Sequence, residues 1–197
     1  MARIGFAVTG SFCSMDDMLY VLENLSQEHD IEVFMTSHVD TMDTRFYQAK
    51  ELKEKVKKII NKEIHTSIQD AEKYGPLEKL DAVVVYPCDA TTLAKLYYGI
   101  NDNGVTMLVK SCLRNQVPIV LGVYSNDVLS ITGHNLFGLM RCKHYYFIPM
   151  YQDDYQKKPN SLIACKEKVK ETLECALKHQ QYQPFLLGCT KYKSIRE

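Results

Sequence analysis

Apolar positions along this chain fall into two rhythms. Short continuous apolar runs begin at Arg3 and at Ile31, cover Asp81–Pro87 and Ile119–Val123, and recur at Tyr145–Pro149. They are rich in β-branched and aromatic residues and are too short for helices. That is the signature of strands covered on both faces. Between them, apolar residues recur every three or four positions. Met15, Met18, Leu19, Leu22 and Leu25 predict one amphipathic helix, capped by Ser14 with Asp17 three residues on. Leu52, Val56, Ile59 and Ile60 predict a second, over Tyr47–Asn61, after a loop at 38–46. Ser67–Tyr74 predicts a short helix closed by Gly75-Pro76. Leu93, Leu96, Tyr97 and Ile100 predict another, broken at Asn101–Gly104, and a further one runs from Val105 to Asn115. A helical stretch then reaches about Met140. A polar loop at Gln152–Ser161 leads into a last helix over Leu162–His179, and the tail after about residue 184 reads as partly mobile.

Strands that alternate with helices imply crossover connections and a parallel sheet. The expected fold class is therefore α/β: a doubly wound, mostly parallel sheet in a Rossmann-like three-layer sandwich. No linker, repeat or low-complexity tract interrupts it, so residues 1–197 read as a single domain.

Charge and composition narrow the function classes. Lysine plus arginine and aspartate plus glutamate both number 24, so the formal net charge is zero and no nucleic-acid surface is expected. No run is long enough for a membrane span and no signal-peptide layout opens the chain, which suggests a cytoplasmic protein. Seven cysteines without a Cys-x-x-Cys spacing argue for reduced thiols filling core space, and no metal site is expected. The adjacent carboxylates Asp153-Asp154 lack further ligand spacing.

In an open α/β sheet, ligands bind beyond the carboxyl ends of the strands, where strand order switches. Four predicted strand ends carry small polar groups: Thr9-Gly10-Ser11, Thr36-Ser37, Asp89-Ala90-Thr91-Thr92 and Ser125-Asn126-Asp127. Each could simply cap a helix. Together they predict one rim of hydroxyls and helix N–H groups suited to an anionic small molecule. The turn after the first strand lacks the G-x-G-x-x-G dinucleotide fingerprint, so a mononucleotide such as FMN is the expected cofactor. Arg45 is a candidate for gripping a carboxylate bidentately, with a solvated loop arginine as the alternative. Lys157 and Lys158, just before a predicted helix start, could attract an anion or contact a neighbouring protomer. Asn126 could orient a ring by its amide or form an Asx turn. The catalytic residue stays unknown, with Asn126 and Arg45 as candidates. His38, Cys13 and Cys88 lie near the expected rim, where a solvated histidine and inert thiols are the simpler reading.

Pro87-Cys88-Asp89-Ala90-Thr91-Thr92-Leu93-Ala94-Lys95, followed by Gly99-Ile100 and Asp102-Asn103, resembles a motif of the flavoprotein family of homo-oligomeric flavin-containing cysteine decarboxylases, as does Thr9-Gly10-Ser11. The resemblance runs in order along nearly the whole chain. It implies a Rossmann-like protomer that assembles into trimers or larger shells and holds FMN at the boundary between protomers. The implied flavin ring lies near Tyr124-Ser125-Asn126 and its phosphate near Ser11 and Thr91. Asp43-Thr44-Arg45-Phe46, Tyr124-Ser125-Asn126-Asp127 and the long run Gln152-Asp153-Asp154-Tyr155-Gln156-Lys157-Lys158-Pro159-Asn160-Ser161 are similar to the dipicolinate synthase B branch of that family. This branch implies a partner, the A component of the synthase, which carries NAD(P). It also implies a dihydrodipicolinate-type dicarboxylate as substrate, and a setting in the mother cell of a sporulating bacterium. Two departures stand out. The Pro-x-Met-Asn segment of the decarboxylases is reduced here to Asn126, so cysteine-peptide decarboxylation is not implied. The family's threonine and asparagine have become Asp89 and Thr91, and an ionised Asp89 repels a phosphate unless it turns away or caps the helix. Two roles thus remain open: a redox component, or a non-catalytic partner with a vestigial FMN pocket.

Overall fold

The computed structural model describes residues 1–188. Eight strands form one sheet: β1 (Arg3–Val8), β2 (Asp30–Met35), β3 (Ile64–His65), β4 (Ala82–Cys88), β5 (Ile119–Ser125), β6 (Tyr145–Phe147), β7 (Met150–Tyr151) and β8 (Leu162–Ala164). The helices are α1 (Met15–Ser26), α2 (Ser37–Thr41), α3 (Ala49–Ile60), α4 (Ile68–Glu72), α5 (Ala90–Tyr98), α6 (Gly104–Leu113), α7 (Gly133–Leu139) and α8 (Val169–Ala176). The strand order is β3-β2-β1-β4-β5-β8-β7, and β6 also pairs with β5. Strands β1 to β6 run parallel, while β8 is antiparallel to both β5 and β7. Sequence order therefore switches between β1 and β4.

The alternation of side chains along each strand divides the core into two layers. Ile4, Phe6 and Val8 of β1 join Val84 and Tyr86 of β4 in a cluster with Met18 and Leu22 of α1, Val56 of α3 and Leu173 of α8. On the opposite face Ala7, Val83, Val85 and Leu121 pack with Leu93 of α5, Leu108 of α6 and Leu136 of α7. Both faces are covered, which is why the strands read as continuous apolar runs. Among the described residues no helix is long and apolar enough to cross a membrane.

Several expectations need correction. The start of the predicted last helix is strand β8, followed by a short 3-10 turn at Lys166–Lys168 before α8. Lys157 and Lys158 thus precede a strand, and the helix start that Lys158 meets is that of α1, across a cleft it shares with Ser14 and Asp17. Part of the expected 38–46 loop is α2. Ser14 does not cap α1 with its side chain; a 3-10 turn at Phe12–Ser14 comes first, and the Ser14 hydroxyl meets that of Ser11 at 3.1 Å. The chain just after residue 184 is tied down. The Met150 amide donates to the Phe185 carbonyl, the Met150 carbonyl accepts from the Leu187 amide, and Phe185 packs edge-on against Phe147. The rest of the expected mobile tail, with Cys189, lies outside the described residues. Of the described cysteines only Cys88 and Cys112 are buried; Cys13 and Cys142 are exposed.

Candidate functional site

The carboxyl ends of β1 and β4 meet at the switch in strand order and are stitched together there. Thr9 is fully buried, and its hydroxyl donates to the Pro87 carbonyl at 2.8 Å and accepts from the Asp89 amide at 2.9 Å. The Asp89 carboxylate accepts from two backbone N–H groups, Gly10 at 2.7 Å and Thr92 at 2.6 Å. The second bond makes it the N-cap of α5. A β-carbon at residue 10 would sit 3.0 Å from the same carboxylate, so glycine there permits the close approach.

Two clefts open on either side of the Gly10–Ser14 turn, because alternate residues of the turn face opposite ways. The first has a volume of about 540 Å³, within the usual range for small-molecule sites, and is lined by Gly10, Thr36, Ser37, Asp89, Thr91 and Thr92. His38 of α2 and the Lys95–Asp102 pair close its outer side. Lys95 bonds both Asp102 oxygens, at 2.9 and 2.7 Å, and holds that carboxyl below its ordinary range. Thr36 is buried, and its hydroxyl oxygen has no hydrogen-bond partner. That oxygen is also shielded from the open cleft, so a ligand in the cleft does not reach it without a local rearrangement.

The second cleft, about 240 Å³, is lined by Ser11, Ser14, Asp17, Ser125, Asn126 and Lys158, with Cys13, Tyr124, Asp153 and Ile163. Its charges are paired: Lys158 donates to Asp153 at 2.8 Å and Lys166 to Asp17 at 2.6 Å. Behind Asp17 the Tyr124 hydroxyl lies 3.2 Å from its carboxylate and bonds the Tyr86 hydroxyl. Burial pushes both phenols far above their ordinary range, so they act as fixed neutral hydrogen-bonding groups.

The expected single rim is therefore parted in two. Thr36, Ser37, Asp89, Thr91 and Thr92 gather around Gly10 in one cleft, while Ser11, Ser125 and Asn126 share the other. Thr9 supports the rim from beneath and Ala90 lines neither cleft. Ser11 and Thr91 do not face one place, so they do not form a joint phosphate grip. Arg45 is exposed, stacks its guanidinium 4.8 Å above the ring of Phe46, and lines neither cleft. Lys157 faces a separate hollow with Tyr151 and Tyr155. Cys88 is fully buried and its thiol is pushed well up by desolvation, which leaves it inert. The sequence reading missed the Asp17–Lys166 pair and the Lys95–Asp102 pair. The spacing from Ser14 singles out Asp17, but as a capping partner; in the fold its carboxylate meets Lys166 and the Tyr124 hydroxyl. Lys166 reaches Asp17 only through the fold. Among the described residues no cluster of three or more His, Cys, Asp or Glu side chains is placed to hold a metal ion.

Set against FMN, the site fits in part. The volume of the first cleft leaves room for a small ligand. The phosphate does not fit at the α5 N-terminus, because Asp89 already takes the N–H groups of Gly10 and Thr92 there.

Comparison with known proteins places this geometry in context. Residues 1–169 match the family described as Flavoprotein. The dipicolinate synthase B subunit of Bacillus subtilis (strain 168) is 39% identical over 186 residues, covering 94% of this chain and 93% of that protein. The crystal structure of the dipicolinate synthase B subunit from Bacillus halodurans C superposes with a TM-score of 0.87 at 39% identity, over 95% of this chain and 96% of that one. The FMN-dependent cysteine decarboxylase SpaF shares the fold, with a TM-score of 0.66 at 20% identity over 90% of this chain and 96% of its own. The family match over residues 1–169 and the 39% identity to both B subunits show that the chain belongs to the flavoprotein family, in the branch that holds the dipicolinate synthase B subunits.

Proposed function

We propose that this chain is the B component of a dipicolinate synthase and works with an NAD(P)-binding A component during sporulation, in the cytoplasm of the mother cell. The substrate is a dihydrodipicolinate-type dicarboxylate. Its oxidation removes a hydride, which reduces NAD(P)⁺ on the partner, and a proton, and the ring becomes aromatic. The observation that carries the reading is the match over nearly the full length of a B component from another organism. The two clefts at the strand-switch edge supply a place for a planar ligand. A flavin, when bound, supplies two-electron redox chemistry at this edge. Asn126, exposed at the lip of the second cleft, would orient the ring or the substrate by its amide. Arg45 and Lys157, both exposed and outside the clefts, serve the substrate carboxylates only where a second chain completes the site. Such a chain has a surface to dock on: Tyr98, Ile131 and Phe137 expose 62, 73 and 57% of their surface on and beside α5 and α7, which supports a homo-oligomer.

A second reading has its own observation. Asp89 fills the anion position at α5, which favours a B component that completes its partner's active site without a phosphate-anchored cofactor of its own. One reconstitution separates the two. The purified chain, the A component and their mixture are each given precursor and NAD(P)⁺, and dipicolinate is followed by its ultraviolet absorbance. Product from the mixture at a rate well above that of the A component alone supports the proposal. An equal rate with and without this chain refutes it. Flavin absorbance in the active mixture decides for the redox role, and its absence decides for the supporting one.

A further inference from the structure

The second cleft contains a cation whose donors the protein does not use up. Lys158, in the loop after β7, donates to Asp153 at 2.8 Å, its one ion-pair partner among the described residues. An ammonium carries three N–H donors, so two are left for the cleft that Lys158 lines. The bond to Asp153 raises its pKa, so the group stays charged throughout the neutral range. Asn126 after β5 and the hydroxyls of Ser11 and Ser14 after β1 add neutral donors from two further elements. The carboxylates of the lining are matched, Asp153 by Lys158 and Asp17 by Lys166 at 2.6 Å. The two pairs therefore sum to no net charge. The volume, about 240 Å³, falls below the roughly 300–1,000 Å³ usual for drug-sized ligands and suits a single-ring acid. Lys157 supplies a contrast next door: its side chain is 87% exposed and faces the separate hollow.

We propose that Lys158 makes this cleft the site of a small ring dicarboxylate: its spare N–H donors take one carboxylate, and Asn126 with the Ser11–Ser14 pair takes the other. Carboxylates accept only, and a bond from an ammonium to a carboxylate is about twice as strong as one between neutral groups. The inference rests on the dicarboxylate part of the functional reading and places that ligand in the second cleft. Asp153 competes with the ligand for Lys158, which sets the direction of the two key replacements. Removing the ammonium removes the grip. Neutralising Asp153 frees the ammonium and lifts a repulsion.

The test uses the full chain and three replacements, Lys158→Met, Asp153→Asn and Lys157→Met, with circular dichroism melts to confirm the fold. Each protein is titrated by calorimetry in metal-free buffer with dipicolinate, the aromatic product, and with picolinate, which lacks one carboxylate. The wild type is expected to bind dipicolinate about tenfold more tightly than picolinate, or better. Lys158→Met is expected to lose about tenfold or more for dipicolinate. Lys157→Met makes the same change of charge outside the cleft and is expected to stay within about twofold of the wild type. Asp153→Asn breaks the same ion pair but keeps the cation, and is expected to bind dipicolinate at least as tightly as the wild type. A loss in Asp153→Asn as large as that in Lys158→Met shows that the pair only holds the loop, and overturns the inference. An equal loss in Lys157→Met overturns it as well, and so does a wild type that binds no dipicolinate or does not distinguish it from picolinate. The reconstitution with the A component is decided separately: product from a mixture whose B chain binds no dipicolinate keeps the functional reading and discards this site.

Discussion

Thr9→Val tests the claim that one buried hydroxyl holds the ends of β1 and β4 together. Valine matches threonine in shape, so packing is nearly conserved and the change isolates the hydrogen bonds. The hydroxyl donates to Pro87 at 2.8 Å and accepts from the Asp89 amide at 2.9 Å, in a position with no exposure to solvent. Its removal leaves a carbonyl and an amide unpaired, each worth roughly 1–3 kcal/mol when buried. The Asp89 amide is only part-buried and recovers some water, so the net loss is about 2–4 kcal/mol. For a chain of this size that lowers the melting temperature by roughly 5–15 °C. Thr9→Ser keeps the hydroxyl and is expected to lose less than about 1 kcal/mol beyond the deleted methyl. Urea unfolding followed by far-ultraviolet circular dichroism gives the comparison, with protein concentration fixed because self-association would add to apparent stability. A Thr9→Val protein within about 0.5 kcal/mol of the wild type, well under the range expected for these bonds, would refute the stitching argument. So would a serine variant as weak as the valine one.

The other predictions concern packing, charge and assembly. Gly122→Ala places a β-carbon 2.2 Å from Cδ2 of the buried Tyr86 ring, so the ring must leave its hydrogen bond to Tyr124; a loss of about 2 kcal/mol or more is expected in the same unfolding assay. Burial pushes the Glu32 carboxyl up, but hydrogen bonds from Arg3 at 2.9 Å and Lys62 at 3.0 Å outweigh it and hold the group below its ordinary 4.5. Its contribution is therefore complete above about pH 4.5 and is lost as pH falls through the lower folded value. Thermal melts from pH 6 to pH 3 should fall less steeply below pH 4.5 for Glu32→Gln than for the wild type, and parallel curves would count against the pairing. Phe137→Glu charges the exposed face beside α5 and is expected to lower the mass seen by light scattering after size exclusion; an unchanged mass would place the self-association surface elsewhere.

How much of this was legible in the sequence depends on which interactions each feature needs. β1, β4 and β5 were readable because strands buried on both faces must be apolar at every position, and that requirement is local. β8 was not. Leu162-Ile163-Ala164 becomes a strand by pairing Ile163 with Tyr124 and Met150 with Ala164, contacts made across long stretches of chain that leave no periodic trace. The same limit hid the Lys166–Asp17 pair, whose partners are 149 residues apart. The convergence of strand ends on one edge followed from the α/β class, but its division into two clefts did not. Gly10 and Phe12 line one cleft and Ser11, Cys13 and Ser14 the other, a split made by the turn after β1 that no apolar periodicity marks.

Asp89 shows where local and distant constraints meet. In the sequence it stood out as a charge in an otherwise neutral helix start, and capping was one way to reconcile it. In the fold the same carboxylate caps α5 and anchors the turn after β1, while its own amide is held by Thr9. The turn after β1 and the start of α5 thus depend on one side chain at the strand switch, and its backbone is tied to Thr9 as well. A neutral residue that can still accept from Thr92 keeps the cap but weakens the hold on Gly10, because a charge-assisted bond is about twice as strong as a neutral one. Such a replacement should therefore come with a looser Gly10–Ser14 turn, the wall between the two clefts. The cap of α5 and the shapes of the two clefts are coupled through that turn.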